Sequence, residues 1–255
     1  MWTAERTGEV NVSTMRFGLM SDVHGNLPAL RAVRSALADD GPLDSVIVAG
    51  DLLLGGGWPN EVWDVLTADG YVLVQGNTDA ELAGLTEPVL DPGHPYQQAY
   101  TARFQWTLER IGGSIIRSLQ NLPREYRVGT PAGDLLVVHA SPRGLDDRAG
   151  GPHNSAAEVN AAYAGTGASA IAFGHWHQSF VRPAPFALLV NVASVSIPLD
   201  GRSLAAYSVL TATPHGWIVE QRRVPYDRDE VTRAERERGI PEWRPQPARA
   251  SAIRK

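Results

Sequence analysis

Five short apolar runs in this chain each stop at a residue type that binds metals. RFGLM (16–20) leads to Asp22-Val23-His24, SVIVA (45–49) to Gly50-Asp51, YVLVQ (71–75) to Gly76-Asn77, LLVV (135–138) to His139, and AIAF (170–173) to Gly174-His175-Trp176-His177. Apolar runs of strand length, separated by helix-length stretches, describe sheets with crossover helices. In such folds sites form just past the carboxyl ends of the strands. The pattern therefore aims three Asp/Asn and four His side chains at one rim.

The intervening stretches fit that frame. Residues 27–39 carry Leu27, Leu30, Val33 and Leu37 on one helical face, with Pro28 in the first turn. Residues 44–51 and 71–77 read as strands, 59–69 as a helix, and 96–120 as one or two helices. Then come a strand at 134–142, a helix at 155–164 and a strand at 169–177. The last β content, FALLVNVASVS, LAAYSVLTAT and GWIVEQRRVPY, reads as a meander with turns at LDGRS and TPHG. The expected class is α/β: two packed, mixed β-sheets flanked by helices, a four-layer αββα sandwich. Residues 1–14 have no apolar pattern and are expected to be an extension, 15–226 the folded domain, and 227–255 a charged, solvated helix and tail.

Composition narrows the chemistry. The chain has 255 residues, 43% hydrophobic, enough for one substantial core. Its net charge of −5 argues against bulk electrostatic binding to nucleic acid, so a substrate phosphate must be held locally. There is no cysteine, so any metal must be held by His, Asp, Glu, Asn or backbone oxygen, and a reducing cytoplasm is the expected location. No apolar run is long enough to span a membrane, and residues 1–14 lack the apolar segment of a secretory signal.

Spacing supports a shared site. In an extended segment residues i and i+2 point the same way, so Asp22 and His24 are expected to face one ion with Val23 turned away, and His175 and His177 to form a similar pair. A glycine precedes Asp51, Asn77 and His175, letting the backbone come close. Seven ligands are too many for one ion and suit two if a carboxylate bridges. Mixed imidazole and carboxylate donors favour Mn, Fe, Zn, Ni or Co over Ca or Mg.

The ordered set Asp22-x-His24, Gly50-Asp51, Gly76-Asn77, His139 and Gly174-His175-x-His177 resembles the calcineurin-like metallophosphoesterase family, over about residues 15–200. The resemblance implies two divalent transition-metal ions, with Mn²⁺ expected. One would be held by Asp22, His24, Asp51 and His177, the other by Asp51, Asn77, His139 and His175, with Asp51 bridging. It also implies hydrolysis of small phosphoesters by a hydroxide shared between the ions, with Asp22, His24, Asp51, Asn77 and His139 as the catalytic set. Thr78 stands where many relatives have a histidine acid, as in the small bacterial and archaeal phosphodiesterase branch. Trp176 replaces a Ser or Thr, and Asn191-Val192-Ala193-Ser194 resembles that branch's Asn-Pro-Gly-Ser segment.

Outside the set, Asn77 and Arg143 are candidate substrate-binding residues, Arg143 because a guanidinium fork suits phosphate. His94, His153 and His215 have no ligand context, and Trp58, Trp63 and Trp106 read as packing residues. Phosphodiesters are the expected substrates. A phosphomonoesterase or nucleotide phosphatase and a non-catalytic scaffold, as the retromer subunit of similar fold is, are the alternatives. The expected partner is a small phosphoester rather than a membrane or bulk nucleic acid, and oligomer formation is left open.

Overall fold

The computed structural model of the chain describes residues 14–86 and 95–242, with only the backbone given for Pro95 and Tyr96. All but Thr14 of the expected N-terminal extension, the tail from residue 243 and His94 lie outside the described residues.

Three strands run parallel in the first sheet: β1 (Met15–Met20), β2 (Ser45–Val48) and β3 (Val72–Leu73). Between them lie α1 (Leu27–Asp39) and α2 (Pro59–Ala68). The start of α1 reflects its sequence: Asn26 caps it by accepting from the Ala29 N–H, and Pro28 occupies the first turn. Next along the chain are α3 (Asn77–Leu82), α4 (Pro95–Leu108) and α5 (Gly113–Gln120). The expected 96–120 region is thus two helices.

The second sheet holds β4 (Glu125–Val128), β5 (Leu135–Val138), β6 (Ala170–Phe173), β7 (Ser179–Pro183) and β8 (Leu188–Val192), in the order β4-β5-β6-β8-β7. A short helix α6 (Ala156–Tyr163) crosses from β5 to β6. β9 (Ala205–Thr213) and β10 (Gly216–Val224) return to the first sheet, whose order is β10-β9-β1-β2-β3, and α7 (Arg228–Glu237) comes last.

Both sheets are mixed, as expected, but the C-terminal meander is not formed. β8 pairs parallel with β6, while β9 and β10 form an antiparallel hairpin on β1 in the other sheet. The reason lies in burial. Leu189–Val192 are sealed on both faces, which suits an interior strand, and β7 covers the outer flank with Pro183 at the sheet edge.

Three apolar strata separate four layers. Between the sheets lie Phe17, Leu19, Ile47, Leu135, Val137, Ala172 and Val190. Outside the first sheet, Leu27, Leu30, Val33 and Leu37 of α1 pack with Met20, Val48 and Leu66. Outside the second, Val159 and Tyr163 of α6 pack on Leu136, Val138, Ile171 and Phe173. The alternation along β5, odd residues inward and even residues toward α6, is the period-two signature of a strand covered on both faces. The charged helix α7 is only partly solvated: Ala234 is buried, Val231 packs on the core, and Glu235 lies 3.0 Å from the sealed Arg103 guanidinium.

Candidate metal centre

The seven residues singled out at strand ends meet on one rim, with both sheets contributing. Asp22 Oδ1 lies 3.1 Å from His177 Nε2 and 3.8 Å from His24 Nε2, and the two Nε2 atoms face each other at 3.3 Å. Asp51 turns one oxygen to each half of the group: Oδ2 is 3.8 Å from His24 Nε2, and Oδ1 is 3.5 Å from His139 Nε2. Asn77 Oδ1 lies 3.0 Å from His139 Nε2 and 3.2 Å from His175 Nδ1.

The extended-segment expectation for the i, i+2 pairs is corrected here. Asp22, His24, Asp51, His175 and His177 hold φ of 55°, 48°, 58°, 65° and 53°, the left-handed region. Each such residue costs about 1–2 kcal/mol relative to right-handed backbone. Asp22 and His24 still converge, with Val23 buried in the core. The His175 and His177 rings part: the His175 ring joins Asn77 while its backbone N–H donates to Asp22 Oδ2 at 3.1 Å, and the His177 ring joins Asp22 and His24. Ala193 holds the same conformation, with φ 63°, in the segment that resembles Asn-Pro-Gly-Ser.

The glycines before the ligands leave room for this crowding. A Cβ on Gly76 would collide with Asp51 Oδ1 and its backbone nitrogen, and one on Gly174 would collide with Ser21 Oγ and Asp22 Oδ2.

Three of the imidazoles are locked from behind. Nδ1–H of His24 donates to Leu54 O at 2.8 Å, that of His139 to Ala49 O at 2.7 Å and that of His177 to Ile197 O at 2.8 Å. A carbonyl can only accept, so Nδ1 carries a proton and, in the neutral ring, the Nε2 lone pair faces the rim, the tautomer a metal needs. The 191–197 loop adds a brace: Ser194 Oγ donates to Asp22 O at 2.9 Å, Ser196 N–H donates to the same oxygen at 3.2 Å, and Asn191 donates to Gly174 O at 2.6 Å.

A buried acid behind the rim was not anticipated. Asp79, with no exposure, accepts from the backbone N–H groups of Asp51, Leu52 and Gly76, each at 2.9 Å. It ties the Asp51 loop to the Asn77 loop. The only trace of it in the sequence is an acid at the third position of a helix that starts at Asn77, where a carboxylate reaches back to free N–H groups.

The remaining candidates sit apart. Arg143 places its fork on Asp147, with Nε and Nη2 donating at 2.8 and 2.9 Å. Thr78 is buried, and its hydroxyl has no hydrogen-bond partner among the described residues. His153 and His215 are exposed, His215 in the β9–β10 turn. Trp58 and Trp106 are buried and Trp63 is half-buried, in keeping with packing roles. Trp176 is half-buried, against the α6 stratum.

The donor set fits metal ions. Asp22 Oδ1 is sealed from water without a well-formed hydrogen bond, and an unpaired buried carboxylate oxygen is costly unless a cation faces it. Asp22, His24 and His177 bring ligand atoms within 4.8 Å of one another, as do Asp22, Asp51 and His139. The nitrogen and oxygen donors suit borderline transition metals.

Electrostatics agree. Burial pulls the His177 imidazole down, but Asp22 outweighs it and pushes the group up to about 9. His139 is also raised, burial being outweighed by Asp51 and Asp22, whereas burial and His139 take His175 down to about 4. The Asp22 carboxyl is held below its usual range, its burial overcome by His177. In chelated protein, protons on imidazole thus stand in for cations.

Loading metal at pH 7.5 must expel at least the His177 proton. Calorimetric titration with Mn²⁺ in buffers of different ionisation enthalpy should show release of about one proton or more. No release would contradict the assignment of His177. The same group makes stability depend on pH: a folded value of about 9 against 6.5 means its contribution is full below pH 6.5 and lost as pH rises through 9. Chelated protein should lose stability over that window.

A sandwich of two mixed sheets with Asp, Asn and His gathered past the strand ends is an arrangement suited to holding metal ions. The chain belongs to the calcineurin-like phosphoesterase superfamily, whose domain matches residues 15–213. A metallophosphoesterase from Sphaerobacter thermophilus is similar at 25% identity and a TM-score of 0.67, over 89% of this chain and 95% of that one. A hypothetical protein from Pyrococcus horikoshii OT3 shares the fold at 17% identity and a TM-score of 0.75, over the same shares. No curated protein matches the chain.

Proposed function

We propose that this phosphoesterase hydrolyses small phosphodiesters with two transition-metal ions, Mn²⁺ first among them, and that it works in the cytoplasm, as a cysteine-free sequence suits. Asp22, His24, His177 and Asp51 would hold one ion, and Asp51, Asn77, His139 and His175 the other. Bound there, the ions would supply Lewis acidity, activating water and neutralising phosphoryl oxygens.

One observation carries the preference for diesters: recesses open on both sides of the ligand group. On the His24 side a pocket of about 240 Å³ is lined by Asn26, Trp58, Ser196 and Tyr226. On the Asn77 and His175 side a cleft of about 630 Å³ is lined by Tyr100, Arg124 and Arg148. A phosphorus atom at the rim can send one ester arm each way. A monoester would leave one side unfilled.

The chain's own residues do the positioning. Carbonyl-held Nδ1 atoms fix three imidazoles, and Asp79 sets the spacing of the Asp51 and Asn77 loops. Thr78, buried beneath the rim, offers the leaving group no proton, which favours leaving groups that depart as stable anions. Charge supports the same reading. Asp22 and Asp51 would cancel two of the four positive charges that two divalent ions would bring, and a diester monoanion would add one negative charge to that balance where a monoester dianion would add two.

With saturating Mn²⁺, kcat/KM for bis(p-nitrophenyl) phosphate should exceed that for p-nitrophenyl phosphate by roughly tenfold or more. A clear monoester preference would defeat the diester reading and leave the ligand assignment standing.

A further inference from the structure

The larger cleft carries two guanidinium groups without a partner among the described residues. Arg124 comes from the link between α5 and β4, and Arg148 from the single 3-10 turn (Arg148–Gly150) after β5. Both line the cleft that contains Asn77 and His175. Neither makes an ion pair or side-chain hydrogen bond among the described residues. Their sequence neighbours behave differently: Arg127 lies 3.1 Å from Asp134, and Arg143 grips Asp147 through both arms of its fork.

The acids of the cleft do not quench them. Glu81 accepts from the Tyr100 hydroxyl and pairs with neither arginine. Asp146 lines the cleft as well but pairs with neither arginine. Asp147, next to Arg148 in the chain, is taken by Arg143 and also accepts from Ser141 Oγ at 2.5 Å and from the Ala149 N–H at 3.1 Å. Two permanent cations thus line a cleft of a chain whose net charge is −5.

We propose that Arg124 and Arg148 form a subsite for a second phosphate, carried on the ester arm that lies on the Asn77 and His175 side. The substrate class is then a phosphodiester whose arm bears a further phosphate, attached either to a sugar hydroxyl or through a pyrophosphate link. This rests on the diester reading above. Planar guanidinium forks match phosphate oxygens in pairs, and two of them bind a dianion far better than a monoanion or neutral arm. The cleft of about 630 Å³ has room for such an arm beyond the reacting phosphorus.

Binding to the Mn²⁺-loaded full chain tests the subsite without turnover. Calorimetry would compare thymidine 5′-monophosphate with thymidine 3′,5′-bisphosphate and thymidine 5′-diphosphate. One or both of the doubly phosphorylated ligands should bind at least ~10-fold tighter than the monophosphate, and which of them gains tells the source of the second phosphate. In the R124A/R148A double variant that ratio should fall to near one. Arg117→Ala, an exposed arginine on α5 outside the cleft, should leave it in place. Equal affinity of all three ligands for the unaltered chain, or a gain that survives the double variant, would overturn the subsite. Turnover of the p-nitrophenyl ester of thymidine 5′-phosphate, with and without a 3′-phosphate, separates the two levels. If neither ester is cleaved, the diester reading fails while the binding ratio still decides the subsite.

Discussion

Asp51→Asn should lower kcat/KM on an activated diester by on the order of 10³-fold and strip metal from both halves of the rim. Asp51 turns a different oxygen to each group, with Oδ2 toward His24 and Oδ1 toward His139. Asparagine keeps an oxygen for the Thr78 N–H, which Asp51 Oδ1 accepts at 3.0 Å, so the fold should persist. The change would remove a full negative charge from between the two proposed ions and turn an amide NH₂ toward one of them. His177→Ala, which touches only the Asp22 and His24 half, should reduce metal content less. Metal analysis after dialysis, read beside the rate, checks both statements. An Asp51→Asn protein with a full complement of metal and an unaltered rate would remove Asp51 from the bridging position.

Asp79→Ala should bring the largest loss of stability, about 3–5 kcal/mol in the metal-free protein. Three buried N–H groups would lose their acceptor at once, each costing ~1–3 kcal/mol if it stays dry. Part of that loss is offset, because burial and the Asp51 charge push the Asp79 carboxyl up to about 7, a sign that holding the anion there is itself unfavourable. Asp79→Asn should fall between, since one carbonyl can still accept while the amide opposes a backbone donor. Urea unfolding gives the comparison, and a loss below about 1 kcal/mol for the alanine variant would show that the loops do not depend on this acid. Activity should fall too, because the same three bonds keep Asp51 and Asn77 in register.

How far the site was readable depends on the kind of information each part needs. Ligand positions were readable because a buried strand is a local apolar run, and the fold carries the residue just beyond it to the rim. The bounds of α1 matched for a similar reason: period, cap and proline all sit within the segment. Long-range facts were not readable. β3 forms only at Val72–Leu73, because its ladder ends where β2 ends, not where the apolar run does. The periodicity of β8, β9 and β10 marks them as strands but does not say which sheet each joins. The parting of His175 from His177 depends on φ, which side-chain patterns do not encode outside glycine. Asp79 and the carbonyls behind the imidazoles needed three-dimensional neighbours to be seen at all.

The left-handed ligand residues also set a direction for change in any descendant of this chain. Asp22, His24, Asp51, His175 and His177 occupy a conformation in which glycine is at ease and a β-carbon is not. Here a glycine at any of these positions relieves the backbone, by up to roughly 1–2 kcal/mol, in the same step that removes a ligand. A lineage released from chemistry, keeping only a surface for a partner, would drift downhill at these five places with nothing to draw it back. Aspartate or histidine at every one of them is what a rim kept for the proposed chemistry would retain.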